Sequence, residues 1–426
     1  MLSAGGKQFQ DWSAAYRLFE KERIKQHELF TPVIKSVLGE LDDQAPLFTM
    51  IDDTLVRKCG RKVSGTGWKR DPLGPSFHTN FVWGQRYLQI SAALPDLEVA
   101  GRARAIPIVF QHAPSAVKPR KTAPPEIWDE YKKQQKRCKI SAVAAMHLAE
   151  LRKQIPERKI VCAVDGGFTN QEVFRSMPKD TTLIGRIRKD ASLFETPVET
   201  GEISRGRKKY YGERLPTPEE VRQDDAIPWQ KVTAFAAGKH HEFEIKTMTP
   251  VRWKSSKDRD MLVVIIRPLA YRPRKGVRLL YREPAYLICS DTQIPLAQLV
   301  QAYLWRWEIE LNFRDEKTIM GVGEAQVRTS AAVQSVPAFI VASYAFLLMA
   351  AHSLRIKTTC LPSSKWYPQK PSDRCTTQKI LSLFRSQYWR LGVDSNKSGF
   401  VSHSPETQTH FYSFNSLSSA LCYALK

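Results

Sequence analysis

Cysteine is scarce and badly placed for cross-linking or zinc. The seven cysteines (59, 138, 162, 289, 360, 375, 422) form no CxxC pair and have no histidine nearby. Their odd number and spacing argue against a disulfide frame and against a zinc site. Cys162 and Cys289 sit inside apolar runs, so they are expected to be buried, reduced thiols. The first residues lack a signal-type apolar core. The most apolar segment, 336–351, is short for a bilayer span and contains Ser343 and Tyr344, which predicts a buried helix. The glycines of RKCGRKVSGTGWKRDP fit neither a Walker A loop nor a dinucleotide fingerprint. No internal repeat and no low-complexity block is present. These absences set the expectation of a cytoplasmic protein with no membrane partner.

Acid is also in short supply relative to base. Sixty-five Lys and Arg stand against 43 Asp and Glu, a net charge of +22. An excess of that size points to a polyanionic partner, most simply nucleic acid. Acidic membrane is the weaker alternative, because the basic residues are not gathered on one amphipathic helix. The 426 residues suggest two or three domains, or one large domain with an insertion, and an apolar fraction of 42% supports a core.

Residues 9–41 carry apolar side chains at helical spacing and read as one or two helices. A short apolar strand, 47–51, then ends in two acids, Asp52 and Asp53. The Gly- and Lys/Arg-rich segment after it reads as a loop, and 80–94 and 105–110 are further strand candidates. A Pro-rich bridge leads into one long helix, 126–154, whose Lys132, Lys133, Lys136, Arg137 and Lys139 could track phosphates or form a solvated face. Residues 160–164 form an apolar strand with Asp165 at its end and a Gly166-Gly167 turn after it. Such a strand end is a common place for chemistry in α/β folds, though a lone VDGG also suits a plain turn. From 171 to 283, short β-type runs alternate with basic loops, which predicts a mostly β insertion. A last strand covers 286–289. Helices are expected after Pro295, over 331–354 and over 377–391, with a short one near the end.

The stretch 303–317, YLWRWEIELNFRDEK, is the densest cluster. At 100° per residue Tyr303, Arg306, Glu310, Arg314 and Lys317 fall within an arc of about 80° on one helix. Trp305, Ile309 and Phe313 make an adjoining apolar stripe, and Glu308, Asp315 and Glu316 point away from the cationic face. Taken alone this is a salt-bridged surface helix. The order of elements changes that reading. Three strand candidates, a long helix, a strand, an insertion, a strand and a helix give an α/β, ribonuclease-H-like mixed sheet flanked by helices. It would bring two strand-end aspartates to one helix glutamate. Phosphodiester cleavage needs such a trio, because two divalent ions about 3.5–4 Å apart activate the attacking oxygen and stabilise the leaving one. Mg²⁺ takes oxygen ligands and keeps waters, so a few carboxylates and the substrate phosphate suffice.

The sequence resembles the DDE transposases of the insertion-sequence-four superfamily, which include the transposon-five transposase. Tyr303, Arg306, Glu310 and Lys317 match that family's Y-x2-R-x3-E-x6-K signature, and IDDT and VCAVD resemble its two aspartate segments. The resemblance covers about residues 46–330. It implies Asp165 and Glu310 as metal ligands, with either Asp52 or Asp53 as the first; a D-x-T pattern ending at Thr54 favours Asp52. It implies two Mg²⁺ ions, with Mn²⁺ as a substitute, and phosphate contacts from Tyr303, Arg306 and Lys317. It also implies a base flipped onto an aromatic, for which Trp229, Trp253 and Tyr286 are candidates. The expected partners are double-stranded DNA, as terminal inverted repeats and target, and a second copy of the chain in a synaptic dimer. The expected division is 1–45 helical, 46–170 and 285–355 core, 171–284 insertion and 356–426 a C-terminal region that could dimerise. Rival readings are a ribonuclease-H-fold nuclease or resolvase without strand transfer, and a non-catalytic nucleic-acid-binding protein.

Overall fold

The structure is a computed structural model and describes residues 11–21, 23–71, 74–75, 77–197, 209–272, 276–355 and 374–385. Two helices lead in, α1 (Ser13–Glu20) and α2 (Gln26–Gly39). α2 is anchored through buried Phe30, Val33, Ile34 and Val37, whereas α1 buries no side chain and rests through the Phe19 ring on Phe339, edge-to-face at 5.4 Å. β1 (Leu47–Arg57) does not stop at its acids. It continues past Asp52 and Asp53 to Arg57, because β3 (Phe81–Pro95) pairs with it antiparallel all the way from Ala92 to Gly84. The close approach needs a glycine: a Cβ on Gly84 would lie 2.5 Å from the Val56 carbonyl oxygen. The expected loop before β3 itself contains a strand, β2 (Gly67–Arg70), and β4 (Ala103–His112) follows β3.

The long helix expected over 126–154 is two helices. α3 (Pro125–Arg137) ends at Cys138, and the extended backbone of Lys139 (ψ 133°) starts α4 (Ile140–Gln154) on a new axis. α3 buries no side chain, whereas α4 buries Ala144, Ala145, Leu148 and Leu151. β5 (Ile160–Val164) is buried at all its positions. The next segment supplies α5 (Gln171–Arg175), β6 (Thr181–Arg186), β7 (Leu193–Phe194), α6 (Pro218–Gln223), β8 (Gln230–Ala236), β9 (Lys239–Trp253), β10 (Asp260–Ile266), β11 (Ala270–Tyr271) and β12 (Leu280–Tyr281). β13 (Ala285–Cys289), α7 (Leu296–Trp305), α8 (Glu308–Thr318) and α9 (Ser330–Ser353) follow. Residues 377–385 are helical, which is the described part of the helix expected over 377–391. The short helix expected near the chain end lies outside the described residues.

The protein has a mixed α/β fold whose large sheet has the strand order β2-β3-β1-β5-β6-β13-β10-β9-β7, with β4 beside β3 and β8 beside β9. β1, β5 and β6 run parallel to their neighbours in that trio, and the other pairings are antiparallel. The main strands from 171–283 therefore extend the same sheet. Alternation along β5 sends Ile160, Cys162 and Val164 into a core shared with α2 and α4, and Val161 into one shared with α7. Helices thus cover both faces. α9 is apolar and long enough to cross a membrane by length and composition, yet most of its apolar window is buried, packed against α2 and β4. Cys162 and Cys289 are buried and free, and burial pushes each thiol up to about 12.

Candidate active site

The site starts from a register. β1 and β5 pair in parallel through Ile51 opposite Val164, and β5 ends there. The next residue on each strand is an aspartate, so Asp52 and Asp165 stand abreast where β5 stops. Asp165 opens a tight turn: its Oδ1 accepts from the Gly167 and Phe168 amides at 2.9 and 3.1 Å, and Thr169 Oγ1 donates to its carbonyl at 2.7 Å. A glycine keeps this turn uncrowded, since a Cβ on Gly167 would sit 3.2 Å from Asp165 Oδ1. Behind the turn, Gly185 of β6 makes room for Thr169, whose Oγ1 would be only 2.3 Å from a Cβ there. Asp165 is thus a turn aspartate and a strand-end acid at once.

The two candidates on β1 point opposite ways. Asp52 lies opposite Gln89 on β3, and Asp53 opposite Leu88. Gln89 and Ser91 share a face of β3, and both donate to Asn312 Oδ1 of α8, at 3.4 and 3.1 Å. Asp52 therefore faces the layer that carries Glu310. Asp53 shares its face with Ile51 and Leu88, which belong to the α2–α4 core, and its Oδ2 pairs with Arg86 Nε at 2.9 Å. Burial, then the charge of Asp165, pushes the Asp52 carboxyl up to about 7, against the Asp53 amide and Arg306. Burial also raises Asp53, with Arg86 opposing, Asp165 adding to the rise and Lys317 and Lys69 lowering it.

The stretch 303–317 is not one helix. α7 ends at Trp305, and the Arg306, Trp307, Ile309 and Glu310 amides bond three residues back at 3.2 Å before α8 proceeds. That tighter winding turns about 20° more per residue than an α-helix, so the single 80° arc does not persist across the junction. Arg306 and Glu310 still meet: Arg306 Nη1 lies 3.4 Å from Asp52 Oδ2 and 3.9 Å from Glu310 Oε1. The guanidinium sits between the carboxylates and also near the Tyr303 and Trp307 rings, at 5.8 and 5.7 Å. The apolar stripe behaves as expected, with Ile309 and Phe313 packed on Met50, Ala93, Ala103 and Ala105, and Trp305 alongside. Trp305 Nε1 also donates to the Gly101 carbonyl at 2.8 Å. Burial lowers the Lys317 ammonium, with Glu316 and Asp53 supporting its charge. Arg314 turns aside to Asp315 at 2.9 Å and leaves the cluster.

Several contributors were not visible from spacing. Arg86, which neutralises Asp53, is an ordinary alternate position of β3. Trp307 is 62% exposed beside Arg306. Asp315 and Glu316, expected only to point away from the cations, are buried inside the protein. Burial pushes Glu316 up to about 8. Beside Asp165 opens a cleft of about 990 Å³ lined by Gly166, Arg186, Arg188, Lys189, Trp253 and Tyr286 among others. Trp229 does not line it and is covered instead by Lys246, whose Nζ lies 4.5 Å above its ring.

Residues 10–257 match the family model described as DDE superfamily endonuclease. The chain belongs to the DDE superfamily of endonucleases. The matched span contains Asp52, Asp53 and Asp165, and Glu310 lies beyond its end. No curated protein matches the sequence. Among the described residues of this DDE endonuclease, no group of three or more His, Cys, Asp or Glu side chains is gathered tightly enough to hold a metal ion. A cation of the chain itself, Arg306, reaches both Asp52 and Glu310. The donor set is nevertheless all carboxylate oxygen, suited to a hard divalent ion. Burial and the charge of Asp165 raise the Asp52 carboxyl, a strain that such an ion would relieve.

Proposed function

We propose that this DDE endonuclease is a metal-dependent DNA transposase of the insertion-sequence-four type, built on a ribonuclease-H-like core, that cuts transposon ends and joins them to target DNA. The carrying observation is the placement of Asp52 and Asp165 abreast on parallel strands, with Arg306 linking Asp52 to Glu310 from the covering helix. Asp52, Asp165 and Glu310 would hold two Mg²⁺ ions, which when bound supply activation of the attacking oxygen and stabilisation of the leaving one. Asp52 is preferred over Asp53 because it faces α8, while Asp53 is already paired with Arg86.

The remaining roles follow from the chain's own groups. Arg306 offers a planar fork that phosphate can take from the carboxylates, and Lys317 a point charge. The Tyr303 ring lies beside Arg306, and its phenol would add a hydrogen-bond donor. Together they hold the scissile phosphate for in-line displacement. The cleft beside Asp165 is lined by Arg186, Arg188, Lys189 and Arg222 together with Asp190, Glu219 and Glu283, and it holds two of the three candidate aromatics, Trp253 and Tyr286; we assign the flipped base to it. Excision through hairpinned ends and a synaptic dimer complete the proposal by resemblance to the family.

The test joins pre-cut end DNA to supercoiled plasmid in Mn²⁺, with the end sequence taken from inverted repeats flanking the gene. Joined product is expected from the native chain, while Asp165→Asn and Glu310→Gln bind DNA and yield none. Hydrolysis without joining would leave a nuclease; activity surviving both substitutions would remove the acids from the chemistry.

A further inference from the structure

β2 and the first residues of β3 form a two-stranded ribbon that runs out past β1. β1 stops pairing with β3 at Gly84, whereas β2 pairs with it from Gly84 to Phe81. The register sets Trp68 opposite Trp83 and Arg70 opposite Phe81, so these four side chains share one face. Trp68 is 66% exposed and Phe81 59% exposed. Trp83 is tied down, its Nε1 donating to the Gly60 carbonyl at 3.2 Å, and it holds the Trp68 ring edge-to-face at 5.6 Å. On the opposite face Lys69 Nζ donates to Ser115 Oγ, and Lys69 and Val82 are half-buried. A large ring oriented by a neighbour yet open to water adds little to the core and offers its π-face outward.

The surroundings select the partner. Between Asp53 and Asp71 the sequence contains six Lys or Arg and no acid. Arg61 and Lys62, in the turn before β2, and Arg70 on the ribbon are exposed. Cations interleaved with an outward aromatic are the pattern for a polyanion that also carries rings. The ribbon lies on the active-site side, since Trp83 has the same parity on β3 as Gln89, the residue opposite Asp52. Six residues of strand separate them, roughly 20 Å at ~3.3 Å each. That is about six nucleotide steps at ~3.4 Å.

We propose that this ribbon is a contact for a DNA strand with unpaired bases, a base stacking on Trp68 and neighbouring phosphates meeting Arg61, Lys62 and Arg70. The inference rests on the reading of the chain as a DNA-cleaving enzyme and places the strand about six steps from the cut. Stacking requires an accessible base face, which a fully paired duplex does not present.

The test is fluorescence anisotropy of the full-length chain, without divalent metal, on labelled oligo(dT) and on a blunt duplex of equal length. Trp68→Ala is expected to weaken oligo(dT) binding roughly tenfold and duplex binding less than twofold, with Trp68→Phe recovering most of the loss. Arg61→Ala with Lys62→Ala is expected to lower the salt slope on the single strand by roughly 1.4. Unchanged oligo(dT) binding in Trp68→Ala, or equal loss on both DNAs, would overturn the proposal. Thermal melting of each variant separates misfolding from lost contact; a second oligonucleotide with 2-aminopurine reports stacking directly, and no Trp68-dependent quenching would likewise overturn it. Because metal is absent, the Trp68 effect persists in Asp165→Asn even if the chain proves unable to join strands.

Discussion

Glu316 is the side chain whose substitution the structure makes most quantitative. It is 1% exposed on α8, within reach of Gln89, the residue opposite Asp52. Glu316 Oε1 and Gln89 Oε1 are both buried with no hydrogen-bond partner. A carboxylate held away from water with one oxygen unsatisfied is costly, and a proton on Glu316 removes that charge, against a Gln89 hydrogen bond that favours the ionised form. Burial accordingly raises the carboxyl from the usual 4.5 to about 8. At ~1.36 kcal/mol per pH unit, ionising it in the folded state costs roughly 4–5 kcal/mol as an upper bound. The direction is fixed by the raised folded pKa. Below about 4.5 both states are protonated and nothing is lost. As pH rises toward about 8 the unfolded chain ionises while the folded one stays protonated, so stability falls, and above that the loss is complete. Glu316→Gln keeps the shape and one donor but removes the titration. Urea unfolding at pH 5, 7 and 9 is expected to show the variant within about 1 kcal/mol of the native chain at pH 5. At pH 9 it should be more stable by roughly 2–4 kcal/mol. Asp52, raised to about 7, contributes a fall of the same sign in both proteins that is complete above about 7, so it cancels from their difference. A difference between the two that does not change with pH would refute the protonated-glutamate argument.

Other perturbations probe the site itself. Asp52→Asn should abolish cleavage whereas Asp53→Asn, which frees Arg86 and removes one charge supporting Lys317, should retain a measurable fraction; single-turnover cleavage of end DNA separates them. Arg306→Gln would remove the proposed charge-assisted phosphate contact, worth roughly 1.5–3 kcal/mol, and should lower kcat/KM by one to two orders of magnitude in the same assay; Arg306→Lys should recover only part of it. Gly185→Ala puts a Cβ 2.3 Å from Thr169 Oγ1, an overpacking cost of about 1–3 kcal/mol, so both melting temperature and activity should fall. Ile309→Ala empties part of the contact between α8 and β1 and should cost roughly 2–4 kcal/mol by chemical denaturation.

Much of the site was legible because local patterns suffice for it. An apolar pentapeptide followed by Asp-Gly-Gly can hardly do other than end a buried strand in a turn, so Asp165 was found where it is. The period of Trp305, Ile309 and Phe313 named the face of α8 that docks, and the apolar runs around Cys162 and Cys289 named those thiols as buried. The errors share a cause. A helical pattern continues smoothly through 138–139 and through 306–307, and nothing in side-chain periodicity records a change of axis. A glycine- and lysine-rich segment reads as a loop until β3 offers β2 a partner.

The sequence by itself determined which residues could do chemistry: an acid after each of two apolar strands, a glutamate set among Tyr, Arg and Lys, and a large cationic excess. Tertiary structure alone decided which of them stand together. Alternation sends Asp52 and Asp53 to opposite faces whatever the fold, but only the packing of α8 on one face makes Asp52 the one that meets Arg306. Likewise only the parallel register of β1 and β5 brings Asp52 level with Asp165. Register and layer are set by contacts between residues more than a hundred positions apart, and no local window of sequence carries them.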